Sequence, residues 1–381
     1  MKLSAAEFCA GGGGQALGLE MAGFQCALAV EIDQNCCATL RTNRPQWNTV
    51  KADMRHFDGS SYRGMDLFAA GVPCPPFSIA GKQLGADDDR DMFPTALQLI
   101  SQMEPRAVLL ENVPGFASDK FKEYRRDLFM KLAKMGYQSD WRVLQAADYG
   151  VPQLRPRFIL VALRPKDAEF FLWPKQIRNR STVGHCLADL MASNGWRGVG
   201  KWVERANIIA PTVVGGSKRH GGPDLGPTRA KQQWRALGVD GMGLADAAPL
   251  ESFQEDGFPR LTVRMVARIQ GFPDEWVFSG GKTAAYRQVG NAFPPPVAKA
   301  VGSAIHDALT RRNSAAIYPV SEVVELRLFD AKVSPSDISK ASKRSRYEAQ
   351  GTNSGGKDAI SRRTHGKSSY SRRRQGSKQC R

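Results

Sequence analysis

The chain has 381 residues, 42% hydrophobic and 24% charged, which excludes wholesale disorder and fits two or three folded units at ~150 residues each. Its net charge of +17 is uneven: residues 331–381 hold 14 Lys and Arg against 3 Asp and Glu, a net of +11, whereas residues 1–330 hold 40 against 34, a net of +6. A polyanionic partner follows, and a membrane is excluded because no apolar run approaches the ~18–20 residues of a span.

Glu7 and Gly11–Gly14 stand where the apolar region of a secretory signal would sit, so the chain is expected to stay inside the cell. Seven cysteines, an odd number without a CxxC spacing, lie far from the five histidines and indicate free thiols rather than a disulfide frame or a zinc site.

Short apolar runs alternate with helix-length stretches through the first 165 residues. Gln25–Glu31, Asp66–Gly71, Arg106–Glu111 and Phe158–Leu163 read as buried strands. Gln34–Asn43, Pro94–Met103 and Lys122–Met135 read as helices, the last stopped by Gly136. This alternation predicts an α/β fold with a doubly wound, mostly parallel sheet. From about residue 176 to 282, glycine and proline crowd the chain, most densely over Pro211–Pro227, which predicts a second, smaller, loop-rich domain. Helical pattern returns at Leu261–Gln270, with Thr262 as N-cap, and after Pro294–Pro296, where Val297, Val301 and Ile305 share a face that can dock on the first domain. The expected organisation is therefore 1–175 with 283–312, then 176–282, then a basic tail 313–381, disordered from about 332.

Two constellations carry chemistry. In the first, Phe8-Cys9-Ala10-Gly11-Gly12-Gly13-Gly14 forms a glycine-rich turn into a helix, where a ligand can approach the backbone closely. Glu31 ends the next strand, placed to accept from both hydroxyls of a ribose, and Asp53 follows the next apolar segment, placed to accept from an adenine amino group. On these residues alone, NAD and S-adenosylmethionine both fit. In the second, Gly71-Val72-Pro73-Cys74 puts a thiol just past a buried strand, and Glu111-Asn112-Val113 puts a carboxylate at the same sheet edge. Gln153-Leu154-Arg155-Pro156-Arg157 then leads into a strand with two arginines that can face one site.

Gly11-x-Gly13-Gly14, Glu31, Asp53, Pro73-Cys74, Glu111-Asn112-Val113, Gln153-x-Arg155-x-Arg157, Arg260–Pro273 and Gln288-Val289-Gly290-Asn291, in this order, resemble the motif series of the DNA (cytosine-5)-methyltransferases, and in particular the modification methylases of type II restriction-modification systems. The resemblance covers about residues 1–175 and 260–310. It implies S-adenosyl-L-methionine as cofactor, held by Cys9, Gly11, Gly12, Gly13, Gly14, Glu31, Ile32, Asp53, Met54, Pro73 and Asn291. It makes Cys74 the nucleophile at cytosine carbon 6, Glu111 the proton donor toward nitrogen 3, Arg157 the contact to the base oxygen, and Arg155 a support of the same site. The target cytosine must flip out of the duplex, and the segment Ser78–Met92 suits a lid over it.

One position departs from the family, which has phenylalanine where Cys9 stands, so weaker cofactor packing is expected. The variable recognition part is 176–258, where Thr212-Val213 resembles the family's Thr-plus-aliphatic pair and Lys218, Arg219, His220 and Arg229 are expected to reach double-stranded DNA from loops. The resemblance also implies a bacterial, cytoplasmic, nucleoid-associated monomer, paired in function with a restriction endonuclease. Two alternatives remain at this point: a tRNA cytosine-5 methyltransferase of the same family, and a catalytically inert DNA-binding regulator.

Overall fold

A computed structural model describes residues 2–73, 91–177, 180–216 and 222–311. Cys74, Lys218, Arg219 and His220, most of the expected lid and the basic tail lie outside these residues.

The chain runs β1 (Ser4–Phe8), α1 (Gly14–Met21), β2 (Gln25–Glu31), α2 (Gln34–Asn43), β3 (Thr49–Lys51), β4 (Leu67–Gly71), α3 (Phe93–Met103), β5 (Ala107–Asn112), α4 (Lys122–Lys134), β6 (Gln138–Gln145), β7 (Pro156–Leu163) and α5 (Pro165–Ala168). There follow α6 (Val183–Ala192), α7 (Val199–Arg205), α8 (Thr228–Ala236), α9 (Val263–Ile269), α10 (Lys282–Asn291) and α11 (Pro295–Thr310). The strands form one sheet in the order β3-β2-β1-β4-β5-β7-β6. β1 to β5 are mutually parallel, and β7 runs antiparallel to both β5 and β6. The strand order reverses between β1 and β4, which opens a crevice beyond their carboxyl ends, the place where α/β sheets hold ligands.

The period of two in the strands divides the core. Ala6, Phe8, Phe68, Ala70, Val108 and Leu110 point to one face, covered by α3 and α4. Ala5, Leu67, Ala69, Ala107 and Leu109 point to the other, where Val297, Val301 and Ile305 of α11 meet them. The return of α11 onto the first strands is the docking expected from its apolar stripe. A third apolar core gathers Trp196, Trp202 and Trp234 with Met265, Val266 and Val289, and extends to Leu17, Leu40 and Trp47 of the first fifty residues.

The sequence reading missed β1, β3, β6, α5 to α8 and α10. β6 is an edge strand with mixed polar residues, so it lacks a continuous apolar run. α7 and α8 each bury one residue fully, a tryptophan, so they show no apolar stripe to find.

α1 and α11 touch so closely that a Cβ on Gly18 would stand 2.4 Å from the Cβ of Ala298 and 2.5 Å from the carbonyl oxygen of Pro295. Gly18→Val is therefore expected to cost about 1–3 kcal/mol by overpacking. Denaturant unfolding checks this, and an unchanged midpoint would contradict the close approach.

Candidate active site

Phe8 ends β1 and the chain turns through Cys9 (φ 56°), Gly11 (φ 54°) and Gly13 (φ 85°) into α1. Gly13 needs its lack of a side chain twice over, because a Cβ there would also meet Leu40 at 2.7 Å and Trp276 at 2.8 Å. Trp276 braces the loop from behind by donating its Nε1–H to the carbonyl of Gly12 at 3.1 Å. Sequence reading missed this residue, although it lies just beyond the Arg260–Pro273 element.

Glu31 ends β2 and holds the loop in place: Oε2 accepts from the amide of Gly11 at 2.7 Å and Oε1 from that of Asp33 at 2.8 Å. Asp53 caps a short turn and is engaged on both oxygens by Arg55 Nε at 3.0 Å, which lowers its pKa. The thiol of Cys9 donates to Met54 Sδ at 3.4 Å, and burial, with the Glu31 carboxylate adding to it, pushes that thiol up to about 12. Cys9 is thus a neutral, packed side chain rather than a reactive one.

A cavity of about 270 Å³ opens at the crevice. Of the residues expected to hold cofactor, Cys9, Gly11, Gly12, Gly14, Glu31 and Asn291 line it, and so does Glu111. Gly13, Ile32, Asp53, Met54 and Pro73 are not among its lining residues, and Ile32 is 59% exposed. The lining also includes Glu7, Gln15 and Arg287, which the sequence reading did not single out. Glu7 and Gln15 are buried, and Glu7 Oε2 and Gln15 Nε2 have no hydrogen-bond partner among the described residues. Only the register of β1 at the switch point, with Glu7 one residue before its end, marks them out.

On β5, Glu111 is largely buried beside the cavity, its side chain 13% exposed, and its Oε1 pairs with Arg157 Nε at 2.7 Å. Burial raises the Glu111 pKa, while Arg157 and Arg155 oppose the rise. An added Cβ on Gly71, three residues before Cys74, would lie 3.5 Å from Glu111 Oε2, so the two expected catalytic segments leave the sheet side by side.

Arg155 was expected to face this site with Arg157, but its guanidinium makes no hydrogen bond to Glu111. It is fully buried, and donates to the carbonyls of Val213 (2.8 Å), Gly290 (2.8 Å) and Ala292 (3.0 Å). Beside it, Gln153 accepts from the amide of Val213 at 2.8 Å and donates to Gln270 Oε1 at 2.6 Å, and Gln270 donates to the Ala292 carbonyl at 2.7 Å. The hydroxyl of Thr212 donates to the Leu154 carbonyl at 2.5 Å. Gly215 lies against α10, where an added Cβ would meet Asn291 Oδ1 at 2.6 Å, and Asn291 Nδ2 donates to Gly216 O at 3.2 Å. The Thr212-Val213 pair is thus fastened to the wall of the cavity, while Arg229 stands exposed on α8.

Burial, reinforced by Glu31, pushes the Glu7 carboxyl well above the usual carboxylate range. Folding then keeps a proton that the unfolded chain releases near ~4.3, so stability falls as pH rises from that value toward the folded pKa. Glu7→Gln is expected to raise Tm at pH 8, the gain shrinking toward pH 4; a shift independent of pH would show that the proton plays no part.

Among the described residues no helix is long and apolar enough to cross a membrane, and no group of three or more His, Cys, Asp or Glu could hold a metal ion. The family model described as C-5 cytosine-specific DNA methylase matches residues 3–307. The chain is 55% identical over 311 residues to the type II methyltransferase M.NaeI of Lentzea aerocolonigenes, covering 81% of this chain and 75% of that one. It is 50% identical over 316 residues to the type II methyltransferase M.NgoMIV of Neisseria gonorrhoeae, covering 82% and 100%. The fold is shared with the crystal structure of a putative DNA modification methyltransferase encoded within an E. coli prophage, at a TM-score of 0.56 and 22% identity over 81% of this chain and 99% of that one. The family model and the relatives show that the chain belongs to the C-5 cytosine-specific DNA methylases.

Proposed function

We propose that this DNA cytosine-5 methyltransferase takes its methyl group from S-adenosylmethionine and delivers it to a cytosine flipped out of double-stranded DNA, through a covalent adduct to Cys74. The observation that carries the reading is the Glu111 carboxyl: largely buried, paired with Arg157, on the wall of the cavity, and next to the strand that leads to Cys74. The cavity suits the donor. Glu31 stands at the strand end where ribose hydroxyls are accepted, and Glu7 and Gln15 offer polar groups that the protein leaves unspent. When bound, S-adenosylmethionine supplies an electrophilic methyl group on a sulfonium.

The chain's own residues do the rest. The Cys74 thiolate forms a bond to carbon 6, which makes carbon 5 enamine-like and nucleophilic and drives electron density toward nitrogen 3. Glu111, whose burial favours the protonated form, donates its proton there, and Arg157 orients that carboxyl and reaches the base oxygen. Once carbon 5 carries the methyl group, a water molecule takes the proton from carbon 5, the electron pair of that C–H bond restores the 5,6 double bond and expels Cys74 as thiolate, and nitrogen 3 returns its proton to Glu111. Arg155 acts through position, holding Val213 against Gly290 and Ala292.

The division of labour we propose gives the chemistry to 1–175 with 283–312 and sequence reading to 176–282. The type II relatives support a modification role, and in this reading it protects host DNA from a cognate restriction endonuclease. We further propose that the enzyme acts as a monomer in the bacterial cytoplasm at the nucleoid.

A duplex with 5-fluorocytosine at the target tests the mechanism, since fluorine cannot leave carbon 5 as a proton does. With S-adenosylmethionine it should give a denaturant-resistant protein–DNA adduct that Cys74→Ala abolishes and Glu111→Gln slows strongly. Full adduct yield with Cys74→Ala would falsify the nucleophile assignment. In the same pocket, Glu31→Ala is expected to weaken donor binding by roughly 1–3 kcal/mol, because it removes the loop tie and the acceptor together. Calorimetry showing wild-type affinity would remove Glu31 from the cofactor site.

A further inference from the structure

α8 is built the wrong way round for a helix whose purpose is packing. Arg229, Gln232, Gln233 and Ala236 recur at i, i+3, i+4 and i+7, the spacing that ordinarily faces a core, yet all four are exposed. The opposite face is held by Trp234, fully buried in the third core. The helix has three cations and no acidic residue. Two of the cations are engaged: Lys231 pairs with Asp224 at 2.9 Å, and Arg235 stacks on Phe258 at 4.7 Å. The side chains of Arg229, Gln232 and Gln233 form no hydrogen bond or ion pair with any described residue.

The helix also starts in the right place. Gly215 lies against Asn291 on the cavity wall, and the next residue back, Val214, stands against Gly226, whose added Cβ would lie 3.7 Å from the Val214 Cβ. Two residues on from Gly226, α8 begins. Nine residues extend ~13 Å, about four base-pair steps, and a helix of this width enters a major groove.

From this we infer that α8 is a specificity-determining element that lays Arg229, Gln232 and Gln233 along base edges in the major groove of the target DNA. A guanidinium offers paired donors and a carboxamide a donor beside an acceptor, the groups that discriminate bases there. Recognition then runs through a helix face, not only through the loops expected from the glycine- and proline-rich sequence. This inference rests on the proposed DNA methylation activity.

The test is bisulfite sequencing of a randomised duplex library after incubation with S-adenosylmethionine and either the wild-type chain, Arg229→Ala, or the Gln232→Ala/Gln233→Ala double variant. Alanine at exposed helical positions favours the helix, and far-UV circular dichroism verifies it. At one or more base positions the ratio of kcat/KM for the preferred over a one-base-changed site should fall about 10-fold or more. Gln233→Arg, which keeps the helix and a long polar side chain, should shift the preferred base. Unchanged ratios in all variants overturn the inference, and so does a uniform loss across sequences with a shallower salt dependence, the mark of phosphate contact alone. If the wild-type chain leaves no 5-methylcytosine in any sequence, the proposed activity fails instead.

Discussion

The guanidinium of Arg155 donates to three carbonyls from two distant parts of the chain, Val213 on one side and Gly290 and Ala292 on the other, in surroundings from which water is excluded. A buried cation is costly unless its donors are met, and here the two terminal nitrogens find neutral carbonyls rather than a carboxylate, while Nε has no partner among the described residues. Any separation of these segments would strand the charge in the interior, so the segment bearing Thr212-Val213 has one position relative to the cavity. The Gln153–Gln270 pair adds a second tie between the same pieces of backbone, and Gly215 closes the gap by letting the backbone approach α10 directly.

That constraint places unlike environments around one crevice. Glu7, Glu31 and Glu111 all line the cavity, but they differ in what meets their oxygens. Glu31 accepts from two backbone amides, Glu111 is paired with Arg157, and one oxygen of Glu7 has no hydrogen-bond partner among the described residues. Burial, with the Glu31 carboxylate adding to it, raises the Glu7 pKa well above the usual range, whereas the rise that burial gives Glu111 is opposed by Arg157 and Arg155. Two carboxyls of one residue type thus differ in their hold on a proton through their neighbours.

The glycine loop depends on the same arrangement from behind. Trp276 and Leu40 fill the space that a side chain on Gly13 would occupy, and the Phe293 carbonyl would lie 2.3 Å from a Cβ on Gly14. Residues from α10, from the turn before α11 and from the segment after α9 thus hold a loop formed at the other end of the chain. The loop has its shape because the later elements return to it, and this explains why motifs more than 250 residues apart belong to one site.

Much of this was legible in the sequence by itself. Four inner strands are continuous apolar runs because both of their faces are buried, and Gln25–Glu31 and Gln34–Asn43 appear with the bounds expected for them. Since the strands are parallel, chemistry that follows their carboxyl ends gathers at one edge, and so the sequence determined that Glu31 and Glu111 share a crevice with the glycine loop. Tertiary structure alone decided the rest. Short helices anchored by one tryptophan each carry no repeating apolar signal, so α7 and α8 become visible only when Trp202 and Trp234 meet in a common core. The different fates of Arg155 and Arg157, two residues apart in an extended segment, could not be read locally either. Burial leaves each guanidinium to the acceptors that the fold brings to it, Glu111 for one and three carbonyls for the other, and those acceptors lie on segments distant in the chain.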